Sequence, residues 1–245
     1  MYKTRGLKSN RDSLKLTEGQ KAYELPPPGT CIFVGSTGSG KTSVAGSLLM
    51  RPEAGHKPML YKYFDEIHVF CLSPCTTLID NVEQIVDEKV YLDDDPTKLE
   101  ELYEKQKSNI KSLGFKRTPH VLVILDDIVQ SKTFLKSKVL TDIFFGGTHS
   151  KFSLWILSQN YMSVPRRLRM NTHSMLLFHG VNNTEIERYS DEHQSPYLKK
   201  NDFTELVNFA LSEPYSFLFL NKTNPDKHKA FRLGFSEGLV IGDGD

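Results

Sequence analysis

Three cysteines in 245 residues, Cys31, Cys71 and Cys75, are an odd set with no second C-x-x-C and no histidine cluster beside them. That scarcity excludes a zinc module and a disulfide framework, and it predicts a reducing compartment, with Cys71 and Cys75 reading as a strand end and a loop. Long apolar runs are also missing. None approaches the roughly 18 residues of a bilayer span, and the first residues are polar and charged, so neither a signal peptide nor a membrane partner is expected. The chain reads as soluble and intracellular. Charge of one sign is lacking too: Lys+Arg 31 against Asp+Glu 30 leaves a net charge of +1. A polybasic nucleic-acid binder is thereby excluded, and any DNA contact must be local. The eight histidines show no metal-ligand spacing, neither H-E-x-x-H nor a nucleophile elbow occurs, and there is no internal repeat.

What is present is Gly35-Ser36-Thr37-Gly38-Ser39-Gly40-Lys41-Thr42, a match to G-x-x-x-x-G-K-[ST] directly after the apolar run Cys31-Ile32-Phe33-Val34. Its glycines allow the backbone to curl until successive N–H groups point at a phosphate, and a helix beginning near Gly40 adds its positive dipole end. Lys41 is expected to reach the β- and γ-phosphates and the Thr42 hydroxyl to bind Mg²⁺. A Gly/Ser linker would not lie between a buried strand and an amphipathic segment.

The length suits one large α/β domain over residues 28–240 with tails. Residues 1–27 form a basic arm carrying Lys3, Arg5, Lys8, Arg11, Lys15 and Lys21, either a solvated tail or a contact for a neighbouring subunit or DNA. Pro26-Pro27-Pro28-Gly29 ends it. After the phosphate loop, Val44, Leu48 and Leu49 share a helix face, and Arg51-Pro52 stops that helix. Glu66–Leu72 reads as a strand. Asp95-Pro96 opens a helix whose apolar stripe is Leu99, Leu102, Tyr103, Ile110 and Leu113, with Gly114 beyond its end. Val121–Leu125 is apolar without alternation, as a central parallel strand requires, and further strands follow at Ser153–Ser158 and Ser174–Phe178. Helices are predicted over Asn183–His193 and Asp202–Leu211. Ser216–Leu220 and Lys229–Phe235 flank a turn rich in Asn, Pro and Asp and form a hairpin at the sheet edge, and 241–245 are expected to fray. Strands alternating with helices predict a mostly parallel sheet flanked by helices.

A nucleotide site needs a carboxylate at the end of a buried strand, and Asp126 meets that need for Mg²⁺. Asp127 is placed to accept a proton from, or to orient, the water that attacks the γ-phosphate. Gln159 ends the following strand, where a neutral amide can sense that phosphate or hold a structural hydrogen bond. Arg166, Arg167 and Arg169 crowd five residues; a guanidinium there acts on a neighbour's phosphoryl group, grips DNA or a subunit, or simply charges the surface, with Arg169 the candidate for the first role. Asn221-Lys222-Thr223-Asn224 resembles the guanine-reading N-K-x-D but lacks its carboxylate, and no D-x-x-G follows Asp126, which leaves adenine as the expected base.

The phosphate loop, VLVILDD, GGTHSKFSLWILSQ and PRRLRMN, in that order over residues 28–180, resemble the FtsK/HerA superfamily, and within it the genome-packaging ATPases of virophages and nucleocytoplasmic large DNA viruses. That resemblance implies a RecA-like P-loop fold and a homo-oligomeric ring that hydrolyses ATP with Mg²⁺ to drive double-stranded DNA into a capsid. It implies capsid or portal-vertex proteins as partners, in the host cytoplasm at the viral factory or on the virion. Many such relatives carry Arg-His where this chain has Thr148-His149, which shifts weight onto Arg166 to Arg169. A replication helicase or loader, and a slow nucleotide switch that controls partner assembly, are the alternatives.

Overall fold

The computed structural model describes residues 7–9, 29–52, 60–73, 76–128, 131–193, 200–223, 230–235 and 237–241. Most of the basic arm, the Pro26–Pro28 lead-in, Cys75, Asn224 and the tail at 242–245 lie outside the described residues. The strands are β1 (Leu7–Ser9), β2 (Thr30–Val34), β3 (Glu66–Cys71), β4 (Val90–Tyr91), β5 (Val121–Asp126), β6 (Phe152–Ser158), β7 (Ser174–Phe178), β8 (Phe217–Asn221), β9 (Phe231–Leu233) and β10 (Glu237–Ile241). They form one sheet in the order β1-β10-β9-β8-β7-β2-β6-β5-β3-β4. Every pair from β7 through β4 is parallel, and every pair from β7–β8 outward to β1 is antiparallel.

The apolar runs that lack alternation are the central strands, and the reason is visible in their packing. Ile32, Val34, Val123, Leu125, Leu154 and Ile156 face one core, while Phe33, Leu122, Ile124, Trp155, Leu157 and Phe178 face another on the opposite side. With side chains alternating across the pleat, a strand covered on both faces must be apolar at every position. The second face is covered by α1 (Lys41–Leu49) and α2 (Thr76–Asn81), through Ala45, Leu48 and Leu78. The first is covered by α3 (Thr97–Leu113), α4 (Lys132–Lys136), α5 (Lys138–Gly146), α6 (Arg166–Asn171), α7 (Asn183–Glu192) and α8 (Lys200–Ala210). Leu99, Phe134, Ile143, Leu168, Ile186 and Leu206 are their contributions to that core. Each such fully buried apolar side chain stabilises the fold by about 1.5–3 kcal/mol.

Local signals act as expected at α3. Asp95 Oδ1 accepts from the Thr97 N–H at 2.9 Å and from its hydroxyl at 2.7 Å, and Gly114 takes φ 75° beyond the last turn. The stripe thins toward its end: Leu113 is 41% exposed, while Gln106 is buried and donates to Pro119 O at 2.6 Å. The predicted hairpin forms between β8 and β9, with Phe219 opposite Arg232. The sheet continues past it, because β10 pairs with β9 and Leu7–Ser9 of the arm pair with Leu239–Ile241. Ile241 thus closes a strand. Among the described residues no helix is long and apolar enough to cross a membrane.

A charged cluster lies within the first core. Glu192, at the end of α7, accepts from Arg169 of α6 through both carboxylate oxygens, at 2.5 and 2.8 Å. The Tyr161 hydroxyl donates to it at 2.7 Å and Arg188 Nε at 3.0 Å. Arg169 Nη1 donates further to Val164 O at 2.6 Å, and the guanidinium lies over the Tyr161 ring at 4.4 Å. Such a pair adds little net stability over an apolar substitute, but removing one partner strands a buried charge at a cost of about 3–5 kcal/mol. Burial on its own would raise the Glu192 carboxyl; the hydrogen bonds from Arg169 and Tyr161 overcome it and hold the group down at about 2. His193, with Nε2 3.0 Å from the Tyr161 hydroxyl, is pushed down to about 3 by burial and then by Lys222.

Both shifts make the fold sensitive to acid. A carboxyl held below its ordinary 4.5 stabilises the fold above that pH and loses the contribution as pH falls toward 2, which for Glu192 amounts to about 3 kcal/mol. A histidine held below 6.5 favours folding while neutral, and that preference is lost as pH falls from 6.5 toward 3. Urea denaturation of the full chain should show stability falling steadily below pH 6.5. Glu192→Gln should lose about 3 kcal/mol at pH 7 and flatten the slope below pH 4.5. An unchanged slope in that variant would remove Glu192 as the cause.

Candidate nucleotide site

The parallel strands deliver their C-terminal ends to one edge of the sheet, where Gly35 to Thr42, Asp126, Asp127 and Gln159 collect. Val34 leads directly into the loop at Gly35, and the Gly35 N–H donates to Ser158 O at the end of β6 at 3.2 Å. A Cβ on Gly35 would come within 2.6 Å of both Phe178 Cβ and Ser39 Oγ, so only glycine allows this approach. Ser36, Thr37 and Gly38 form the exposed tip, and Gly38 and Gly40 take φ of 75° and 99°. The left-handed conformation falls where the sequence has glycine.

At Gly40 the loop becomes α1, whose first turn has no side-chain cap. Its leading N–H groups are therefore available to an anion. The Ser39 hydroxyl is buried and has no hydrogen-bond partner among the described residues, as expected of a cradle shaped for a ligand's oxygens. The buried Lys41 ammonium donates to Gly35 O at 2.7 Å and Ser36 O at 2.9 Å, so the lysine holds the loop's own carbonyls. Burial lowers its proton affinity, and the nearby charges of Asp127 and Asp126 oppose that. Thr42 lies half-buried in the first turn of α1.

Asp126 closes β5 opposite Leu157 of β6 and Cys71 of β3. Asp127 follows with φ 54°, a left-handed turn that aspartate tolerates better than most residues. Its N–H donates to Leu157 O at 3.1 Å, and its Oδ2 accepts from Gln159 Nε2 at 2.8 Å. Gln159 and Asp127, 32 positions apart in the chain, are thus in direct contact. The strand bearing the two acids does not adjoin β2: β6 is inserted between them, so Gln159 stands between the phosphate loop and the acid pair. Among the described residues no three His, Cys, Asp or Glu side chains group around a metal position. Magnesium keeps most of its waters and leans on substrate phosphates, and the Thr42 hydroxyl and the Asp126 carboxylate are the groups at this edge that could hold it.

One predicted site residue lies elsewhere, and two other segments also sit away from the loop. Arg169 is not free to act across a subunit boundary: it is 2% exposed, and its guanidinium is committed to Glu192, Val164 O and the Tyr161 ring. Extracting it would strand the Glu192 carboxylate. Arg167 donates to Leu135 O at 2.9 Å, whereas the Arg166 side chain is 66% exposed and lies 3.7 Å from Glu192 Oε1. His149 lies just ahead of β6, at the edge opposite the phosphate loop. The N-K-x-D look-alike also lies away from the loop, because β8 runs antiparallel and sets Asn221 opposite Ser174 at the start of β7. Lys222 there caps α6, donating to Met170 O at 2.8 Å, and its ammonium is lowered to about 8 by burial.

Sequence reasoning passed over Gly180, whose Cβ would come within 2.4 Å of Ser36 Oγ. A glycine closely following an apolar strand was the available signal. It passed over Glu192 as well, for which no local signal exists.

No curated protein sequence matches the chain. The fold is similar to that of the genome packaging NTPase B204 from Sulfolobus turreted icosahedral virus 2 in complex with ATP-gammaS, with a TM-score of 0.54 and 14% identity over 85% of this chain and 97% of that one. It is similar to B204, the DNA-packaging ATPase from Sulfolobus turreted icosahedral virus, with a TM-score of 0.53 and 12% identity over 89% and 98% of the two chains. It is also similar to EssC (ATPases 2 and 3) from Geobacillus thermodenitrificans, with a TM-score of 0.54 and 16% identity over 98% of this chain and 44% of that one. A sequence profile described as Poxvirus A32 protein matches residues 25–212. Its fold is that shared by B204 and EssC, and the chain belongs to the poxvirus A32 protein family.

Proposed function

We propose that this ATPase is a genome-packaging motor that hydrolyses ATP to drive double-stranded DNA into a viral capsid, working as a homo-oligomeric ring at the site of virion assembly. The observation that carries the reading is the Gln159–Asp127 hydrogen bond of 2.8 Å beside the phosphate loop, in a chain of the A32 family. It joins a phosphate-sensing amide to an acid suited to orient water. The names of the fold's relatives, packaging NTPases of other viruses, support the same direction.

In this reading the loop N–H groups and the start of α1 bind the β-phosphate, and Lys41 leaves the Gly35 and Ser36 carbonyls to reach the γ-phosphate. Thr42 and Asp126 hold Mg²⁺, which when bound neutralises charge on the phosphates. Asp127 orients the attacking water and takes up its proton. The Gln159 amide turns between Asp127 Oδ2 and the γ-phosphate, and so reports whether that phosphate is present. Across a ring interface the exposed Arg166 replaces Arg169 as the candidate to stabilise a neighbour's transferring phosphoryl group. Capsid or portal-vertex proteins complete the assembly.

Steady-state ATPase assays on the full chain, without DNA and with double- or single-stranded DNA, test this. The expected result is activity stimulated by double-stranded DNA, cut about 100-fold or more by Lys41→Ala or Asp127→Asn. Rates indifferent to DNA would favour a nucleotide switch, and preference for single strands a helicase or loader. Mixing Arg166→Ala subunits with Lys41→Ala subunits should restore part of the rate. Failure to do so at every ratio would remove the trans role from Arg166.

A further inference from the structure

One exposed aromatic side chain is held where its backbone is unfavourable. The segment Glu213-Pro214-Tyr215-Ser216 joins α8 to β8 as a tight turn: the Ser216 N–H and hydroxyl both donate to Glu213 O, at 3.2 and 2.6 Å. Proline suits the second position of such a turn, and the third, which needs positive φ, ordinarily falls to glycine or asparagine. Here it is Tyr215, at φ 62°. Strain of that kind persists where the side chain has a task, and the ring is not supporting the core, because Tyr215 is 73% exposed.

The position of the ring is specific. A Cβ on Gly40 would lie 3.9 Å from Tyr215 Cδ1, so the edge of the ring stands beside the turn where the phosphate loop becomes α1. The turn is fixed to that neighbourhood: the His179 N–H donates to Ser216 O at 3.3 Å, and His179 Nδ1 lies 2.8 Å from Leu211 O. The next residue, Gly180, packs against Ser36 of the loop. The preceding Phe178 stacks on Phe33 with ring centroids 6.4 Å apart and meets Phe217 tilted at 5.1 Å.

Sheet order supplies the direction. On one side of β2 stand β6 and β5, which carry Gln159, Asp126 and Asp127; on the other stand β7 and β8, with Gly180 and Tyr215 at their ends. A nucleoside triphosphate with its γ-phosphate at the acids and its phosphates along the loop must extend its nucleoside toward β7 and β8. There it meets the exposed ring of Tyr215, which stands beside Gly40.

We propose that Tyr215 is the platform on which the base of the bound nucleotide stacks, an inference that rests on the ATP-site reading above and adds to it the residue that recognises the base. A stacked aromatic accepts the π-face of any base, so Tyr215 provides affinity for nucleoside triphosphates over bare polyphosphate. The left-handed backbone at Tyr215 sets where the exposed ring projects.

Calorimetric titration of the full chain with ATPγS and with inorganic tripolyphosphate, both in Mg²⁺, tests this. Tyr215→Ala should weaken ATPγS binding by about tenfold to a hundredfold and leave tripolyphosphate within about twofold of wild type. Tyr215→Trp should retain ATPγS affinity. Tyr215→Gly should lose it as the alanine variant does, with a Tm at or above that of wild type, since φ 62° suits glycine. If both small variants bind ATPγS like wild type, or lose ATPγS and tripolyphosphate equally, the platform role is wrong and the nucleotide site stands. If the wild-type chain binds neither ligand, the ATP-site reading itself falls and the platform with it.

Discussion

Two backbone carbonyls at the end of β6 determine where everything in the site lies. Ser158 O takes the N–H of Gly35, and Leu157 O takes the N–H of Asp127, so one strand end fastens the phosphate loop on one side and the acid pair on the other. The next residue, Gln159, is thereby brought to Asp127 and donates its amide to Oδ2 at 2.8 Å. Neither tie is made by a side chain. Substitution along β6 can alter packing without moving them, provided the strand keeps its register against β2 and β5. The chemistry thus rests on parallel pairing, which needs helices on both faces and hence the apolar strands that the two cores bury.

Charge in this molecule divides between two duties. Lys41, Asp126 and Asp127 share an open edge where a ligand can reorganise them. Arg169, Glu192 and Tyr161 are sealed within one core, each satisfied by the others, and a ligand that displaced any of them would face the cost of an unpaired buried charge. Arginine is an ordinary choice for such a position, because its planar fork matches a carboxylate through two parallel bonds. The cluster holds α6 against α7 and, through Tyr161, secures the segment that leaves β6.

Much of the fold could be read from the sequence because its determinants are local. The unbroken apolar stretch Val121–Leu125 can only be a strand covered on both faces, and Asp95 and Gly114 mark the helix between them by cap chemistry that acts within a turn. The glycines of the loop fall where φ is positive or a Cβ would collide. The remainder depends on residues far apart in the chain. Arg169 reads, within a basic run, as the candidate to act on a neighbour's phosphoryl group, and its actual partner lies 23 positions on without any motif. The insertion of β6 between β2 and β5, and the turning of Asn221 and Lys222 away from the loop by antiparallel β8, are matters of strand order, which periodicity does not encode. Tyr215 was illegible for the opposite reason: Pro214 announces a turn, but the residue after it breaks the usual rule.

The fastening of Tyr161 bears on timing. Two residues beyond Gln159, its N–H is held by Glu185 Oε1 at 2.6 Å and its hydroxyl by Glu192 at 2.7 Å, while the backbone just before is locked into β6. Gln159 therefore stands on an immobile main chain, and only its χ angles are left to respond. Rotations of that kind in exposed side chains are complete in picoseconds to nanoseconds. If Gln159 senses the γ-phosphate as proposed, the amide responds long before a helix or a neighbouring subunit of the proposed ring could move, and the slow step of such a cycle would lie downstream of it.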